Sequence, residues 1–396
     1  MTGAGHDGGA GGVTGAGNDE AGGAAPGASA GARDGWGTVG ASPEGRTLLA
    51  GDIGGTHTRL ALFDGAGARV AHVDLESPRL AAQGTLEDAV ALFLAHSGCG
   101  APAAVALACA GPVRDGECRI TNLPWVIRED TLSRATGAAH VRVINDFEAM
   151  ARGTQVLRDD ELEVLQAGRR DPSGACLVIG AGTGLGHAWL VPAGVSAPRS
   201  VADGATATHP SSSAHPLRVF ASEGGHKSFA PRDGLEDGLL VWLRARHGRV
   251  SVERVLSGPG LVDLYTYLVE SGHAVTSDSV HAAVAREGAR AIGTRAAARD
   301  GDPACVLAVQ RFASLYGAHT GDAALALLPT GGVYITGGVT AALVPALREH
   351  FLPAFLDKGR LRPALEPLWL AVALAPDTGL RGALEVARSV AGHGST

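Results

Sequence analysis

The sequence predicts an α/β protein made of two related halves facing one cleft, and three observations carry that prediction. Short apolar runs alternate with segments of helical spacing along the chain from Leu48 onward. A strand, a glycine-rich turn with a threonine, and a second strand occur twice, at 48–63 and again at 176–190. With 396 residues, 45% of them hydrophobic and 18% charged, the chain can bury a substantial core and divide it between two domains.

Residues 1–45 stand apart. They hold 16 of the 58 glycines and almost no large apolar side chains, so burial cannot offset the entropy of ordering them. The segment reads as a disordered extension, or as upstream sequence carried by a misassigned start. The first structured unit is the hairpin at 48–63, where the Gly54-Gly55 pair sits at a reversal that calls for positive φ. At its bend Asp52, the bare amides of Gly54 and Gly55, the Thr56 hydroxyl and the Arg59 cation crowd together. Successive amides without side chains form an anion-binding concavity, and an adjacent Asp holds a divalent cation, usually through water. A nucleoside triphosphate with its magnesium needs that combination, although an ordinary glycine turn with a capping Asp would use the same residues.

Leu86 to His96 follows with helical spacing, and Ala104 to Ala110 is a short buried-strand run. Between Arg119 and Trp125 an amide, Asn122, stands beside a turn stiffened by Pro124. The strand Val141 to Ile144 runs straight into Asn145-Asp146-Phe147. A carboxylate at the carboxyl end of a strand in an open α/β sheet lies where ligands bind, while the alternative is an N-cap for a helix starting near Glu148. The second half opens with Cys176 to Leu190, whose Gly180, Gly182, Thr183 and Gly184 echo the first hairpin. No helix-forming run follows, which removes a dinucleotide fingerprint from consideration.

Residues 193–216 read as a surface loop. Glu223 and His226 flank paired glycines, a polar pair suited to solvent or to a hydroxylated ligand, with no second cluster to complete a metal site. Glu253 precedes the Gly258-Pro259 turn that starts a helix. Pro303 to Leu328 is a long helical pattern with Val309, Phe312, Tyr316, Ala323 and Leu327 on one core-facing side. It leads into a buried strand ending at Gly337-Gly338, where flat backbone lets an adenine ring or an α-phosphate approach, though packing against a helix would select the same residues.

Composition excludes several function classes. A net charge of −7 without a basic run or aromatic ladder gives no reason to expect nucleic acid. Five scattered cysteines with no C-x-x-C pair suit neither a metal site nor a disulfide framework, and a reducing cytoplasm fits best. No window approaches the length of a membrane span.

Taken jointly, GDIGGTHTRLAL from Gly51, TNLPW from Thr121, INDF from Ile144, GAGTGLG from Gly180, EGGH from Glu223, ERVLSGPGL from Glu253 and ITGGV from Ile335 resemble bacterial ATP-dependent glucokinase in order and spacing, over about 47 to 390. The resemblance implies the actin-like, ribonuclease-H-like ATPase fold, with a small α/β domain (46–156 plus 375–396) and a large one (157–374) closing on a central cleft. The related ROK sugar kinases carry a cysteine-rich zinc motif after the E-x-G-H segment. Residues 227–260 hold no cysteine, which places the chain outside that group.

Carried over residue by residue, the resemblance makes Asp146 the base facing the 6-hydroxyl of D-glucose. It gives Asn122, Asn145, Glu223, His226 and Glu253 to the other sugar hydroxyls. Gly51, Asp52, Ile53, Gly54, Gly55 and Thr56 would handle ATP from one side, with Mg2+ held by Asp52 through water. Thr183 and Gly184 would handle the phosphates from the other side, and Gly337 and Gly338 the adenosine. Similar proteins are often homodimers. One departure is His57, where the family commonly has Asn after G-G-T; imidazole still donates to a phosphate, with a charge that varies near neutral pH. A kinase of another hexose or with another donor such as polyphosphate is the runner-up. A non-catalytic sugar sensor would require a DNA-binding helix pair or loss of the base, and Asp146 is present.

Overall fold

The computed structural model describes residues 46–120, 123–193 and 217–393. The expectations for residues 1–45, for Asn122 and for the loop from residue 194 to 216 lie outside the described residues. The first sheet is built from β1 (Leu48–Ile53), β2 (His57–Phe63), β3 (Arg69–Glu76) and β4 (Ala104–Cys109). A small ribbon follows, made of β5 (Val113–Arg114), β6 (Glu117–Arg119) and β7 (Val126–Arg128), and β8 (His140–Asn145) completes the first sheet in the order β3-β2-β1-β4-β8. The second sheet contains β9 (Leu162–Gln166), β10 (Cys176–Ala181), β11 (Leu185–Pro192), β12 (Leu217–Ser222), β13 (Gly332–Thr336) and β14 (Leu370–Ala373), ordered β12-β11-β10-β13-β14-β9.

The two sheets repeat one plan. In each, a hairpin and a third strand pair antiparallel, and the first hairpin strand then pairs parallel with a later one. The repeat follows from the sequence, because both glycine turns join short strands of apolar residues that need a partner on either edge. Register fixes where the chemistry lies. Ile53, Cys109 and Asn145 are aligned across β1, β4 and β8, so Asp52 and Asp146 emerge at the same carboxyl edge. In the second sheet Gly180 is aligned with Thr336, which brings the 182–184 turn and Gly337-Gly338 to one end.

Two helices join this frame. The helix Asp146–Thr154 crosses the last helix, Thr378–His393, at a point where neither chain has room for a side chain: a Cβ on Gly153 would collide with the Thr378 carbonyl, and one on Gly382 with the Ala149 carbonyl. The last helix in turn buries Leu380, Ala383, Leu384 and Ala387 against Ala50, Ala61, Ala106 and Ala108 of the first sheet. Small residues on the sheet face let the helix sit close. The other end of Asp146–Thr154 reaches the second sheet, where the Phe147 ring fills the space above Gly186 and Gly180.

Three sequence expectations need correction. Neither Gly54 nor Gly55 lies in the left-handed region. The reversal is a three-residue connection closed by Gly54 N donating to His57 O at 2.8 Å, and a Cβ at Gly54 would stand 3.2 Å from that oxygen. The helix after β8 starts at Asp146 rather than near Glu148, and its cap is Asn145, whose Oδ1 accepts from the Phe147 and Glu148 amides. Along Pro303–Leu327 the residues Val309, Phe312, Tyr316 and Ala323 are buried, but Leu327 is 46% exposed because the helix's last turn leaves the core before its left-handed cap at Leu328.

Candidate active site

At the carboxyl edge of the first sheet, Asp52 is the last polar residue of β1 and faces Arg59 across the hairpin, Nη1 to Oδ2 at 3.6 Å. Burial pushes the Asp52 carboxyl up, against the pull of Arg59. Arg59 also donates through Nε to Asp74 Oδ2 at 2.9 Å, and the other Asp74 oxygen meets His57 Nδ1 at 2.9 Å. One carboxylate on β3 thus steadies both hairpin side chains. The turn itself is tied down by Ser77, whose hydroxyl donates to Gly54 O at 2.7 Å and whose amide donates to Thr56 O at 2.9 Å. This leaves Thr56 exposed and the Gly54 and Gly55 backbone half-exposed; the Gly54 amide is already spent on His57 O, so of the two bare amides expected from the sequence the turn offers an anion that of Gly55, beside the Thr56 hydroxyl.

Asp146 sits at the first position of its helix. With Asn145 as the cap, Asp146 is released from that role. Its Oδ1 accepts the adjacent Phe147 amide at 2.9 Å and its carboxylate also meets its own amide, while Asn145 Nδ2 donates to Gly111 O at 3.0 Å and fixes the start of the helix. Burial, the Asp52 carboxylate and, more weakly, Glu223 push the Asp146 carboxyl up to about 7, against the Phe147 hydrogen bond. A carboxylate with that value near neutral pH is suited to accept a proton from a hydroxyl.

The second sheet carries the turn 182–184 between β10 and β11. Gly182 N donates to Gly184 O at 2.8 Å, Gly258 N donates to Gly182 O at 2.7 Å, and Glu253 Oε2 accepts from Leu185 N at 2.9 Å. Glu253 therefore commits one oxygen to the glycine turn. Thr183 is exposed at the tip. Gly337, with φ +99°, lies against the Ala181 carbonyl where any Cβ would collide, whereas Gly338 opens a short helix with free space around it. Glu223 and His226 stand at the two ends of the 3-10 turn Gly224–His226, 3.8 Å apart, with side chains 73% and 56% exposed, so both are free to meet a ligand. The structure thus sets Asp52 and Glu223 each within electrostatic reach of Asp146, and joins Gly184 to Glu253 and Gly337 to Ala181.

A magnesium ion suits this donor set. Asp52 is a carboxylate raised by burial at the strand edge, and a cation beside it would relieve that cost. Among the described residues no three His, Cys, Asp or Glu side chains group to enclose a metal. An ion here would take most ligands from water and phosphate, as Mg2+ does.

Comparison with known proteins decides the family. The glucokinase family model matches residues 49–390. The chain belongs to the glucokinase family. It is 39% identical over 346 residues to glucokinase of Chromohalobacter salexigens, covering 86% of this chain and 97% of the relative. It is 36% identical over 352 residues to that of Nostoc punctiforme, covering 85% and 97%. Among solved structures, a glucokinase from an Antarctic psychrotroph aligns with a TM-score of 0.66 at 29% identity, over 87% of this chain and 100% of that one. A ROK family glucokinase from Streptomyces griseus, solved with glucose and AMPPNP, shares the fold at a TM-score of 0.59 and 22% identity, over 87% and 99%. The fold is accordingly the actin-like ATPase fold.

Several site residues escape the motifs. Asp74 is one charged residue on an outer strand, with nothing in the sequence to tie it to the hairpin. Gly379 is another: a Cβ there would lie 3.5 Å from Asp52 Oδ2, so the first turn of the last helix borders the carboxylate. The glycine is visible in the sequence, but no local pattern points it at residue 52.

Proposed function

We propose that Asp146 takes the proton of the glucose 6-hydroxyl while that oxygen attacks the γ-phosphorus of ATP. The O6–P bond forms, the bond from phosphorus to the β-phosphate oxygen breaks, and glucose 6-phosphate and ADP leave. The observation carrying this reading is the Asp146 carboxyl, raised to about 7 at the cleft edge and freed from capping by Asn145. Phosphoryl transfer is chiefly positioning and charge stabilisation, so the remaining residues hold the reactants. Glu223 and His226 take sugar hydroxyls from the second sheet, Asn122 and Asn145 from the first, and Glu253 offers the sugar whatever the Leu185 amide leaves unspent. Asp52, Gly54, Gly55 and Thr56 cradle the phosphates from one side and Thr183 and Gly184 from the other, with Gly337 and Gly338 beneath the adenosine; Gly51 and Ile53, expected beside them, are buried in β1 between β2 and β4 and serve by holding that strand. Mg2+ on Asp52, held through water, would neutralise phosphate charge.

Residues 46–156 with 375–396 act as the small domain and 157–374 as the large one, which supports closure around the sugar and exclusion of water. Three hydrophobic clusters belong each to one sheet and favour this division, while Phe147, Met150 and Ala151 of the helix Asp146–Thr154 pack into a fourth with the second sheet. We read the active form as a homodimer in the cytoplasm; the free thiols of all five cysteines fit a reducing compartment, and among the described residues no helix is long and apolar enough to cross a membrane. A coupled assay crossing hexoses with phosphoryl donors tests the reading. The largest kcat/KM is expected for D-glucose with ATP. Preference for another hexose or for polyphosphate would contradict it.

A further inference from the structure

The second sheet holds a pair of imidazoles that the reaction does not use. His187 on β11 and His319 on the helix Pro303–Leu327 face each other between sheet and helix, Nε2 to Nε2 at 3.1 Å, with ring centroids 5.0 Å apart and planes inclined by 53°. His187 is 2% exposed. Burial pushes His187 down to about 3 and His319 down to about 4. Each ring is also disfavoured as a cation by Lys227, and His319 further by Lys358, while Asp322, itself paired with Lys358 at 2.7 Å, acts in the opposite sense on His319. Both rings are therefore neutral near pH 7. Two neutral imidazole nitrogens at that separation need one N–H donor and one bare acceptor, so each ring fixes the tautomer of the other.

The same ring supports the turn between Glu223 and His226. A Cβ on Gly224 would collide with His187 Nδ1 and stand 2.8 Å from Cγ, so the Gly224 backbone lies flat on the imidazole. Gly225 is pressed against the Leu185 carbonyl in the same way. The Gly224 amide donates to Ser222 Oγ at 3.1 Å, and β12 is held beside β11 with His187 opposite Ser222. The 3-10 turn thus has a floor made of one imidazole, whose tilt is set by a second on a different element.

We propose that His187 and His319 are a positioning pair for sugar recognition. Their hydrogen bond sets the height of the Gly224-Gly225 floor and thereby the directions in which Glu223 and His226 meet the hexose. Two aliphatic side chains would fill the volume as well; a satisfied buried polar pair adds a fixed geometry. The inference rests on the reading of Glu223 and His226 as sugar ligands.

The test compares His319→Leu, His319→Gln and Glu223→Gln with the unaltered chain by steady-state kinetics at pH 7.5. His319→Leu leaves a buried His187 nitrogen without a partner and is expected to raise KM for glucose about tenfold. The same variant keeps kcat and KM for ATP within about twofold, and His319→Gln, which donates and accepts through its amide, returns KM for glucose to within about threefold. An unchanged KM for glucose in His319→Leu overturns the proposal. So does a parallel loss in kcat and both KM values, or a Gln variant no better than Leu. Should the Leu variant not fold, His319→Asn, too short to reach His187, carries the same expectation. Glu223→Gln separates the two readings: if it leaves KM for glucose unchanged, the sugar assignment fails, and if it raises KM while His319→Leu does not, only the pair fails.

Discussion

Asp146 links stability to pH in a direction that differs from a salt-bridged carboxylate. Its folded value near 7 lies above the ordinary 3.8 of an unfolded aspartate, so the native state binds the proton more tightly and loses stability as pH rises from about 4 to about 7. Asp146→Asn removes that penalty. The variant should melt higher than the unaltered chain at pH 8, and the difference should vanish near pH 4; equal melting temperatures at pH 8 would mean the carboxylate is not raised. With Asp146 as the proposed base, kcat/KM for glucose in the unaltered enzyme should fall about tenfold per pH unit below about 7, because only the ionised carboxylate accepts the proton. His57 is a milder case. Its ring is 49% exposed and tied to Asp74, and an exposed pair of this kind is worth about 0–1 kcal/mol. His57→Asn should therefore raise KM for ATP by no more than about fivefold, and a larger rise would put the imidazole directly on phosphate.

At the scale of elements, β1, β2, β4, β8, β10, β11, β13 and the long helix from Pro303 are legible in the sequence because apolar period and glycine turns are local signals, whereas the outer strands β3, β9 and β12 and the helices Gly234–His247 and Thr378–His393 are not. The hairpin at 48–63, the strand into Asn145-Asp146, the second hairpin at 176–190 and the helix from Pro303 all form where their residues predict. Tertiary contacts are not legible either. Gly180 and Gly186 read as part of a phosphate turn, yet both leave room for Phe147, a residue of the first half of the chain. Asp146 reads equally as base or cap until the structure gives the cap to Asn145. Asp74 and Gly379 reach the site from segments with no motif. The Phe147 contact yields a prediction at this scale: a methyl group on Gly186 must push the ring, and with it the helix turn that carries Asp146. Gly186→Ala should lower kcat about tenfold to a hundredfold, as small misplacements of a reacting group do, with KM for ATP little changed. Unaltered kcat would show that the ring shifts without moving the carboxylate.

Among the described residues one sheet plan occurs twice, and the helix Asp146–Thr154 packs on both sheets while Thr378–His393 packs on that helix and on the first sheet. On the proposed assignment, Glu223 and His226 of the second sheet and Asp146 beside the first meet one hexose, which closure of the halves would favour. Small-angle scattering should register a smaller radius of gyration with glucose present, and an unchanged radius would argue against closure. The proposed reaction turns on Asp146, and the most direct measurement pairs glucose-binding calorimetry with the coupled turnover assay on Asp146→Asn. Asparagine keeps the shape and one acceptor oxygen but takes no proton, so glucose should bind within about threefold of the unaltered affinity while turnover falls about a hundredfold to ten-thousandfold. Near-full turnover in that variant would contradict the assignment of the base and return Asp146 to a structural residue at the head of its helix.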